Sequence, residues 1–500
     1  MTSPAPFRLY NTLSKEVEDV KTINPGEVRL YVCGMTVYDH IHIGHGRAMV
    51  VFDAFTRYLR HRGWHVHFVR NFTDVDDKII CRAAERGEAP MELAERYIAA
   101  FHRDTDALGL DRPDHEPRVS SSMGAIIAMI TQLMDREHAY VSEGSVWFSV
   151  KSFPEYGKLS RRNVDDLRSA DENLGKRHPA DFALWKAVKP GEPSWDSPWG
   201  PGRPGWHIEC SAMSCEHLSE EIDIHGGGLD LVFPHHENEI AQSEAASGKP
   251  FSRIWMHNGL LTMQSGQKMG KSLGNVINIH DALDQFPAEA IRLYLLQHHY
   301  RTALPWSDTA LVESLAMLAR LYEAKEVALQ MGGEEDADRV AESLGADAQS
   351  ALELARTFSD RLYAHLDDDF NTANALARAF ELARSINRRA RHKKAKRRGG
   401  PIARLALEAM SHFTTSLKLL GDDPERFQEE VKEKRLVAMG LTAAQVEGLI
   451  EERSAARAAK EWARSDELRD ELTALGVVIM DTPEGVKWRL KLGRDGQDDV

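Results

Sequence analysis

The chain has 500 residues, of which 42% are hydrophobic and 28% are charged, a composition typical of a soluble globular protein with roughly two to four domains. There is no apolar run of membrane-spanning length, no secretory signal at the start, and only four scattered cysteines, so we expect a cytoplasmic protein without a disulfide framework. The net charge of −14 argues against indiscriminate nucleic-acid binding, although local basic patches could still bind a nucleic acid.

The first predicted unit is strand, helix and strand. An apolar run predicts a buried strand at residues 28–33, a helix is predicted at about 46–62, and a second strand at 65–71. Parallel strands joined in this way require a right-handed crossover. Because ligands bind beyond the carboxyl ends of such strands, Cys33 and Thr73 should meet at one crevice.

A polar loop, His42-Ile43-Gly44-His45-Gly46, lies between the first strand and the helix. Its glycines let the backbone approach a ligand closely, and the free amides of a helix N-terminus attract phosphate. The two imidazoles add donors directed at the same anion. The loop therefore suits ATP, although the pattern alone also fits an ordinary polar loop.

Residues 119–205 are interpreted as an insertion, with one helix at 124–137, two short strands and a turn-rich end. The α/β pattern then returns at residue 206. A predicted strand at 222–225 leads into three glycines and Asp230, a helix follows, and another strand is predicted at 254–257. Strand, glycine loop and helix form a nucleotide-sized crevice, in which Asp230 could accept a hydrogen bond from a ribose hydroxyl.

Two lysines, Lys268 and Lys271, lie between glycines in QSGQKMGKSLGN at residues 264–275. We interpret this stretch as a mobile cationic loop. Its lysines could close over a triphosphate from the side opposite the histidine loop, and the alternative is a solvated surface turn.

The second half of the chain has a helical pattern from residue 305 to about 421, typical of an antiparallel bundle. Its basic run at 388–398 (RRARHKKAKRR) suits phosphates. A linker signal at 421–424 precedes a small module with a helical hairpin and two short strands, and the tail from residue 493 is predicted to be disordered.

The small module offers side chains that could read a single-stranded nucleic acid. Trp462 and Trp488 are candidate stacking platforms, and Arg457, Asp466 and Asp481 are candidate partners for base edges. Tryptophans also commonly pack a small core, so each single contact is open to that alternative.

A metal site is suggested by Cys33, Cys210, His235 and Glu239. His235 and Glu239 are four residues apart on a predicted helix and so point the same way. Thiolates combined with an imidazole favour zinc over harder cations. The residues are dispersed along the chain, so spacing alone leaves the assignment open. Cys215 is more simply a buried thiol, and His236 a neighbour of the site.

These motifs resemble those of the class I aminoacyl-tRNA synthetases, and closely those of the cysteine-specific members of that class. The resemblance covers nearly the whole chain. It is carried by YVCGMTVYDHIHIGHGR, NFTDVDDKI, GRPGWHIECSAM, DIHGGGLDLVFPHHENEIAQSEA, KMGKSLGN and the C-terminal EERSAARAAKEWARSDELRDEL. The implied fold is α/β, with a Rossmann-like parallel-sheet catalytic domain that has an insertion, followed by an α-helical bundle and a small α+β module.

The resemblance also implies roles for single residues. Residues 42–45 correspond to the HIGH signature and 268–272 to the KMSKS signature, with Gly270 where serine is usual, which should change loop flexibility rather than activity. The implied catalytic residues are His42, His45, Lys268 and Lys271; the implied ATP contacts are Ile43, Gly44, Gly46, Gly227, Asp230 and Lys271; the implied cysteine contacts are Gly34, Thr36, Thr73 and Trp206; and one zinc ion is implied on Cys33, Cys210, His235 and Glu239.

The implied domains are residues 1–118 with 206–258 (catalytic), 119–205 (insertion), 259–310 (stem with the KMSKS-like loop), 311–425 (bundle), 426–492 (anticodon-binding module) and 493–500 (disordered tail). The implied activity is that of a monomer which activates L-cysteine with ATP and Mg²⁺ and passes the cysteinyl group to the 3′ end of tRNA-Cys. Two alternatives are a cysteine ligase acting on a sugar amine and a catalytically silent tRNA-binding protein. The long chain beyond Pro305 argues against the first, and the intact signatures argue against the second.

Overall fold

The computed structural model describes residues 4–166, 175–263, 276–307, 309–482 and 485–492. The elements up to residue 258 are β1 (Arg8–Asn11), β2 (Glu16–Asp19), β3 (Glu27–Thr36), α1 (Ile43–His61), β4 (His65–Thr73), α2 (Asp77–Arg86), α3 (Pro90–Ala107), α4 (Met123–Asp135), β5 (Ala139–Ser142), β6 (Ser145–Phe148), β7 (Phe182–Ala187), β8 (Gly202–Pro204), α5 (Trp206–His217), β9 (Ile222–Gly228), α6 (Glu237–Ser247) and β10 (Ser252–Asn258).

The elements after residue 258 are β11 (Leu261–Met263), α7 (Ile279–Gln285), α8 (Ala288–Leu296), β12 (Leu304–Trp306), α9 (Ala310–Leu329), α10 (Ala337–Leu344), α11 (Ala346–Arg356), α12 (Phe358–Leu366), α13 (Thr372–Ala390), α14 (Lys393–Arg398), α15 (Gly400–Leu417), α16 (Pro424–Ala438), α17 (Ala443–Ala458), α18 (Trp462–Ala474), β13 (Val477–Thr482) and β14 (Gly485–Leu490). None of these described helices is both long enough and apolar enough to cross a bilayer.

A parallel sheet with the order β10–β9–β3–β4 lies at the centre of the first half. β3 is apolar at successive positions because both faces of the sheet are covered. Val28 and Leu30 pack into the core that contains α1, whereas Tyr31 packs into a second core beneath α5 and α6. The predicted parallel βαβ unit is therefore confirmed.

The sheet topology fixes where a ligand can bind. From β3 the chain crosses through α1 to β4 on one side, while β9 pairs with the other side of β3. The carboxyl ends of neighbouring strands diverge at such a reversal of strand order and leave a crevice between them. The register pairs Thr36 with Thr73 and Val32 with Gly226, so the histidine loop, Thr73 and the glycine loop all come at strand ends along this edge.

The inserted segment forms an antiparallel sheet with the order β5–β6–β7–β8. The two strands predicted at 139–142 and 145–148 are confirmed, and the predicted helix is α4. α4 packs against α5 and α6, so the insertion covers the face of the parallel sheet opposite α1.

The second half is the predicted bundle, α9 to α15, followed by the small module α17, α18, β13 and β14. α16 links the two. Near its start Phe427 stacks on Tyr322 of α9 at 3.9 Å between ring centroids, and near its end Leu436 packs in the core of the module. Lys434 donates hydrogen bonds to the carbonyls of Leu283 (2.5 Å) and Phe286 (3.4 Å) at the end of α7. The domain boundary at residue 425 stays a prediction, and the predicted tail at 493–500 lies outside the described residues.

A buried ion pair joins the bundle to the parallel-sheet domain. Arg292 of α8 donates to Asp53 of α1 at 2.7 Å and to the carbonyl of Leu417, the last residue of α15, at 2.9 Å. Both charged side chains are buried, at 1% and 3% exposure. Asp53 also accepts from Arg57 Nε at 3.2 Å, and Arg292 is the more deeply buried of its two basic partners.

We expect Arg292→Met to lower the free energy of unfolding by about 1.5–3 kcal/mol, since the buried Asp53 carboxylate loses one charge-assisted hydrogen bond but keeps its contact with Arg57. Urea denaturation followed by circular dichroism measures the change. Arg356→Met is the matched control, because its ion pair with Asp338 is exposed, and it should leave the transition nearly unchanged. Equal behaviour of the two variants would contradict this assignment.

Candidate functional site

The histidine loop forms the N-terminal cap of α1. The His42 Nδ1 accepts hydrogen bonds from the amides of Gly44 (3.1 Å) and His45 (3.4 Å), and the His45 Nδ1 accepts from the amide of His42 (3.3 Å). The two rings stack at 3.5 Å between centroids. This reciprocal capping satisfies amides that a helix start otherwise leaves without partners. Both histidines thus have a structural role in addition to any chemical one.

A second segment pairs with this loop. The amide of Ile43 donates to the carbonyl of Ile277 at 2.9 Å, and the amide of Ile279 donates to the carbonyl of Ile41 at 3.0 Å. Ile43 is fully buried, and a Cβ on Gly46 would lie 2.8 Å from Ile279 Cδ1. The structure therefore gives Ile43 and Gly46 packing roles.

The predicted lysine loop, with Lys268 and Lys271, lies outside the described residues, so its role stays a prediction. The flanking residues are described. β11 ends at Met263, the chain returns at Val276, and residue 278 pairs with residue 42. Lys268 and Lys271 are nine and six residues, respectively, before Ile277, the first residue shown to contact the histidine loop.

The four predicted metal ligands converge. Ligand atoms of Cys33, Cys210, His235 and Glu239 all lie within 4.8 Å of one another, and all four residues are buried. They come from β3, α5, the turn before α6, and α6 itself. Cys33 Sγ donates to Glu239 Oε1 at 3.2 Å, and His235 Nε2 lies 3.1 Å from the same oxygen.

The electrostatics of the cluster suit a cation. Burial lowers the pKa of His235 to about 3, so its imidazole is neutral and can act as a ligand. Burial alone would raise the pKa of Glu239, but His225 and His235 and the hydrogen bonds of the site lower it overall, so this carboxylate stays charged. Burial raises the pKa of the Cys33 and Cys210 thiols, and a bound cation would reverse that effect by stabilising the thiolates.

A further layer of side chains holds these ligands, and sequence reasoning missed most of it. His225 Nε2 lies 2.8 Å from Glu239 Oε2, and His207 Nδ1 lies 3.0 Å from His235 Nδ1. Trp206, a predicted cysteine contact, stacks on His235 at 4.3 Å between centroids. Groups of this kind fix the orientation of metal ligands. The only available signal was position in the sequence, since each is near a quoted motif.

His236 could itself be a metal ligand, which goes beyond the prediction that it is only a neighbour of the site. It forms a second, overlapping group with Cys33, His225 and Glu239, whose ligand atoms also lie within 4.8 Å of one another. Its Nδ1 lies 2.7 Å from His257 Nε2. Cys215 lies outside both groups. It is only partly buried, so the interpretation of it as a buried thiol overstated its burial.

The predicted cysteine contacts lie beside the cluster. The amide of Gly34 donates to Asn71 Oδ1 at 2.8 Å, and a Cβ at position 34 would lie 1.6 Å from the Asn71 carbonyl oxygen. Thr36 pairs with Thr73, whose hydroxyl donates to Glu209 Oε2 at 2.9 Å. Burial raises the pKa of Glu209 well above its usual range. Asn71 and Glu209 are further residues of this pocket that the sequence patterns did not single out.

The glycine loop at the end of β9 is explained first by packing. A Cβ on Gly226 would lie 2.3 Å from the Phe52 ring, and one on Gly227 would lie 2.8 Å from the His236 ring. These glycines let β9 approach α1 and the histidine cluster. Asp230 follows at the exposed rim of the crevice, where it is accessible to a ligand.

The predicted tRNA contacts are dispersed over the small module. Trp462 is 60% exposed, whereas Trp488 is partly buried beneath Lys432, at 4.6 Å from the ring centroid. Arg457 pairs with Asp481 at 2.6 Å. Asp466 is exposed and lies 3.3 Å from Arg469. Of the two tryptophans, Trp462 is the one that presents an open face.

The basic run divides into buried and exposed members. Arg389 is buried and donates to the carbonyl of Asp347 at 2.6 Å, and Arg398 pairs with Glu335. The exposed members of the run are Arg388, Arg391, Lys393, Lys394, Lys396 and Arg397.

Comparisons with known proteins agree with this geometry. Residues 19–316 match the family model described as tRNA synthetases class I (C) catalytic domain. The fold is similar to that of Mycobacterium tuberculosis methionyl-tRNA synthetase in complex with methionyl-adenylate, with a TM-score of 0.59 at 15% identity over 84% of this chain and 95% of that one. The chain therefore has the fold and the catalytic domain of a class I aminoacyl-tRNA synthetase.

The remaining matches identify the family within this class. Residues 361–421 match the DALR domain and 440–489 the cysteinyl-tRNA ligase anticodon binding domain. The cysteine–tRNA ligase of Geobacter sulfurreducens is 48% identical over 97% of this chain and 100% of its own length, and that of Alkalilimnicola ehrlichii is 49% identical over 97% and 99%. The chain therefore belongs to the cysteine–tRNA ligase family.

We expect His42→Ala to increase amide hydrogen exchange in the first turn of α1, because loss of a helix cap costs about 0.5–2 kcal/mol. His42→Asn keeps a capping side chain and should preserve most of the protection. The exchange of Gly44 and His45 amides, followed by mass spectrometry, measures both effects. Equal protection in the wild type and both variants would mean that the side chain does not cap the helix.

Proposed function

We propose that the protein activates L-cysteine with ATP and transfers the cysteinyl group to the 3′ end of tRNA-Cys. The observation that carries the proposal is the buried cluster of Cys33, Cys210, His235 and Glu239. It lies at the same sheet edge as the histidine-capped start of α1, so the proposed amino-acid pocket is adjacent to the positive end of a helix dipole, where the phosphates are proposed to bind. Membership of the family supports the same reaction.

The cluster is proposed to hold one zinc ion. Two thiols, an imidazole and a carboxylate are donors that zinc prefers, and zinc held by such a set could accept a substrate atom by expanding its coordination number. When bound, zinc would supply a soft Lewis acid that takes the substrate side chain as a thiolate, which favours cysteine over serine. His225 and His207 hold the ligating side chains, and Trp206 closes one side of the His235 ring.

The proposed chemistry needs no protein nucleophile. The α-carboxylate of cysteine attacks the α-phosphorus of ATP, whose phosphates are neutralised by Mg²⁺, and pyrophosphate leaves. The imidazoles of His42 and His45 and the positive end of the α1 helix dipole are proposed to stabilise charge that develops on phosphorus, and Lys268 and Lys271 are proposed to approach from the other side. Asp230, which is exposed at the rim, is proposed to accept a hydrogen bond from a ribose hydroxyl. Catalysis then rests on positioning and electrostatics.

In the second step, a hydroxyl of the terminal ribose of tRNA attacks the carbonyl carbon of the adenylate, and AMP leaves. The helical bundle and the small module are proposed to bind the rest of the tRNA. The exposed members of the basic run suit phosphates, and Trp462 offers a surface on which a base can stack. These parts favour tRNA over a sugar amine as acceptor. The protein is proposed to act as a monomer in the cytoplasm, where tRNA and ATP are available.

We expect Cys210→Ser to lose both the bound zinc and cysteine-dependent ATP–pyrophosphate exchange, because a serine hydroxyl is a poor zinc ligand. Metal analysis and the exchange assay measure the two losses. Cys81→Ser is the matched control, since Cys81 is exposed and outside the cluster. Full exchange activity in verified zinc-free enzyme would sink the proposal.

We expect Trp462→Ala to reduce the kcat/KM for tRNA charging by about 5- to 150-fold, corresponding to the roughly 1–3 kcal/mol of a stacked base. Cysteine-dependent pyrophosphate exchange should be unchanged, because Trp462 is far along the chain from the adenylation residues. Val437→Ala, at another exposed apolar position nearby, is the control. Unaltered charging by the tryptophan variant would remove this residue from the tRNA-binding surface.

A further inference from the structure

A second cluster with metal-binding chemistry lies outside the cysteine pocket. Ligand atoms of His40, Asp104 and His280 all lie within 4.8 Å of one another. His40 is in the loop before α1, Asp104 is on α3 and His280 is on α7, so three separate segments contribute one ligand each. Neither the adenylation chemistry nor tRNA binding, as proposed above, uses any of these side chains.

The separation between His280 and Asp104 fits a cation bound between the two side chains better than a direct hydrogen bond. His280 Nδ1 lies 3.8 Å from Asp104 Oδ2, too far for a hydrogen bond. Both atoms are buried, and neither has a hydrogen-bond partner among the described residues. In a tetrahedral site with bonds of about 2.0–2.1 Å, two ligand atoms are about 3.4 Å apart, so a small side-chain adjustment would place these two on one ion.

The surrounding residues orient the two imidazoles. The other nitrogen of His280, Nε2, lies 3.2 Å from Asp281 Oδ1, and a ligating histidine commonly donates its second N–H to a carboxylate in this way. The His40 ring packs edge-on against Tyr97 of α3 at 5.3 Å and lies 4.5 Å from the His280 ring. Asp104 is 6% exposed, and a cation bound beside so buried a carboxylate would offset the cost of removing its charge from water.

We propose that His40, Asp104 and His280 form a second site for a divalent late transition-metal cation, with zinc as its representative. Two imidazoles and one carboxylate leave a fourth position for water, the composition of an open zinc site. Softer sulfur ligands are absent from this set, and so the site differs in chemistry from the cluster around Cys33.

The position of the site gives the cation a defined structural effect. Residues 41–43 and 277–279 already pair through two backbone hydrogen bonds beside it. A bound cation would add a cross-link from this pair of segments to α3. It would therefore hold α7 against the start of α1, next to His42.

The test uses the full chain equilibrated with buffered zinc and then analysed for metal content. We expect His280→Gln and Asp104→Asn each to bind about one zinc ion fewer per chain than the wild type, as removal of a ligand from a three-ligand site implies. His102→Gln is the matched control, because His102 is also on α3 and pairs with Glu116 outside the cluster. It should bind as much zinc as the wild type.

Cobalt substitution gives a second readout. The proposed site should contribute visible d–d absorption without thiolate charge-transfer bands, and His280→Gln should remove only that contribution. Retained cysteine-dependent pyrophosphate exchange in the same variant would establish that it is folded. Cys210→Ser tests the cluster around Cys33 independently. The double variant Cys210→Ser with His280→Gln should therefore lose both ions. Equal zinc content in the wild type, His280→Gln and Asp104→Asn would overturn this inference alone and leave the proposed function intact.

Discussion

A fully buried carboxylate, that of Glu239, constrains the geometry of the whole first half of the protein. A charge in that position has to be compensated, because the interior offers no water to solvate it. The carboxylate lies 2.8 Å from His225, 3.1 Å from His235 and 3.2 Å from the Cys33 thiol, on β9, the turn before α6 and β3. These elements must therefore approach one another closely, which agrees with the glycine at position 227, where β9 meets His236.

The parallel sheet makes this convergence possible. Cys33 and Gly226 are almost two hundred residues apart in the chain, yet their strands are neighbours because the insertion is folded as a separate antiparallel sheet on one face. The crevice at the reversal of strand order then receives Cys33 and the histidine loop from β3, and the glycine loop with the turn before α6 from β9. The proposed sites for the thiol and for the triphosphate thus share a single edge.

The sequence predicted the regular elements well, since period-two and helical patterns report directly on burial. The strands at 139–142 and 145–148 have the bounds that were predicted, and the metal-ligand set is brought together in the structure. The sequence alone could not show whether a residue type is required at a position for ligand binding or for packing. Gly46 and Gly226 fit the expectation of close approach, but what they approach is Ile279 and Phe52. His207 and His225 were missed because only the folded chain shows which of 22 histidines face the cluster.

α16 has a mechanical consequence for the molecule. This helix of 15 residues is about 22 Å long, at 1.5 Å per residue, and its two ends are embedded in different cores. Lys434 holds it to the last turn of α7. It therefore forms a rigid connection between the terminal module and the segment beside the histidine loop. A force that a bound partner applies to the terminal module therefore has a continuous path of packed and hydrogen-bonded atoms, through α16 and α7, toward the start of α1.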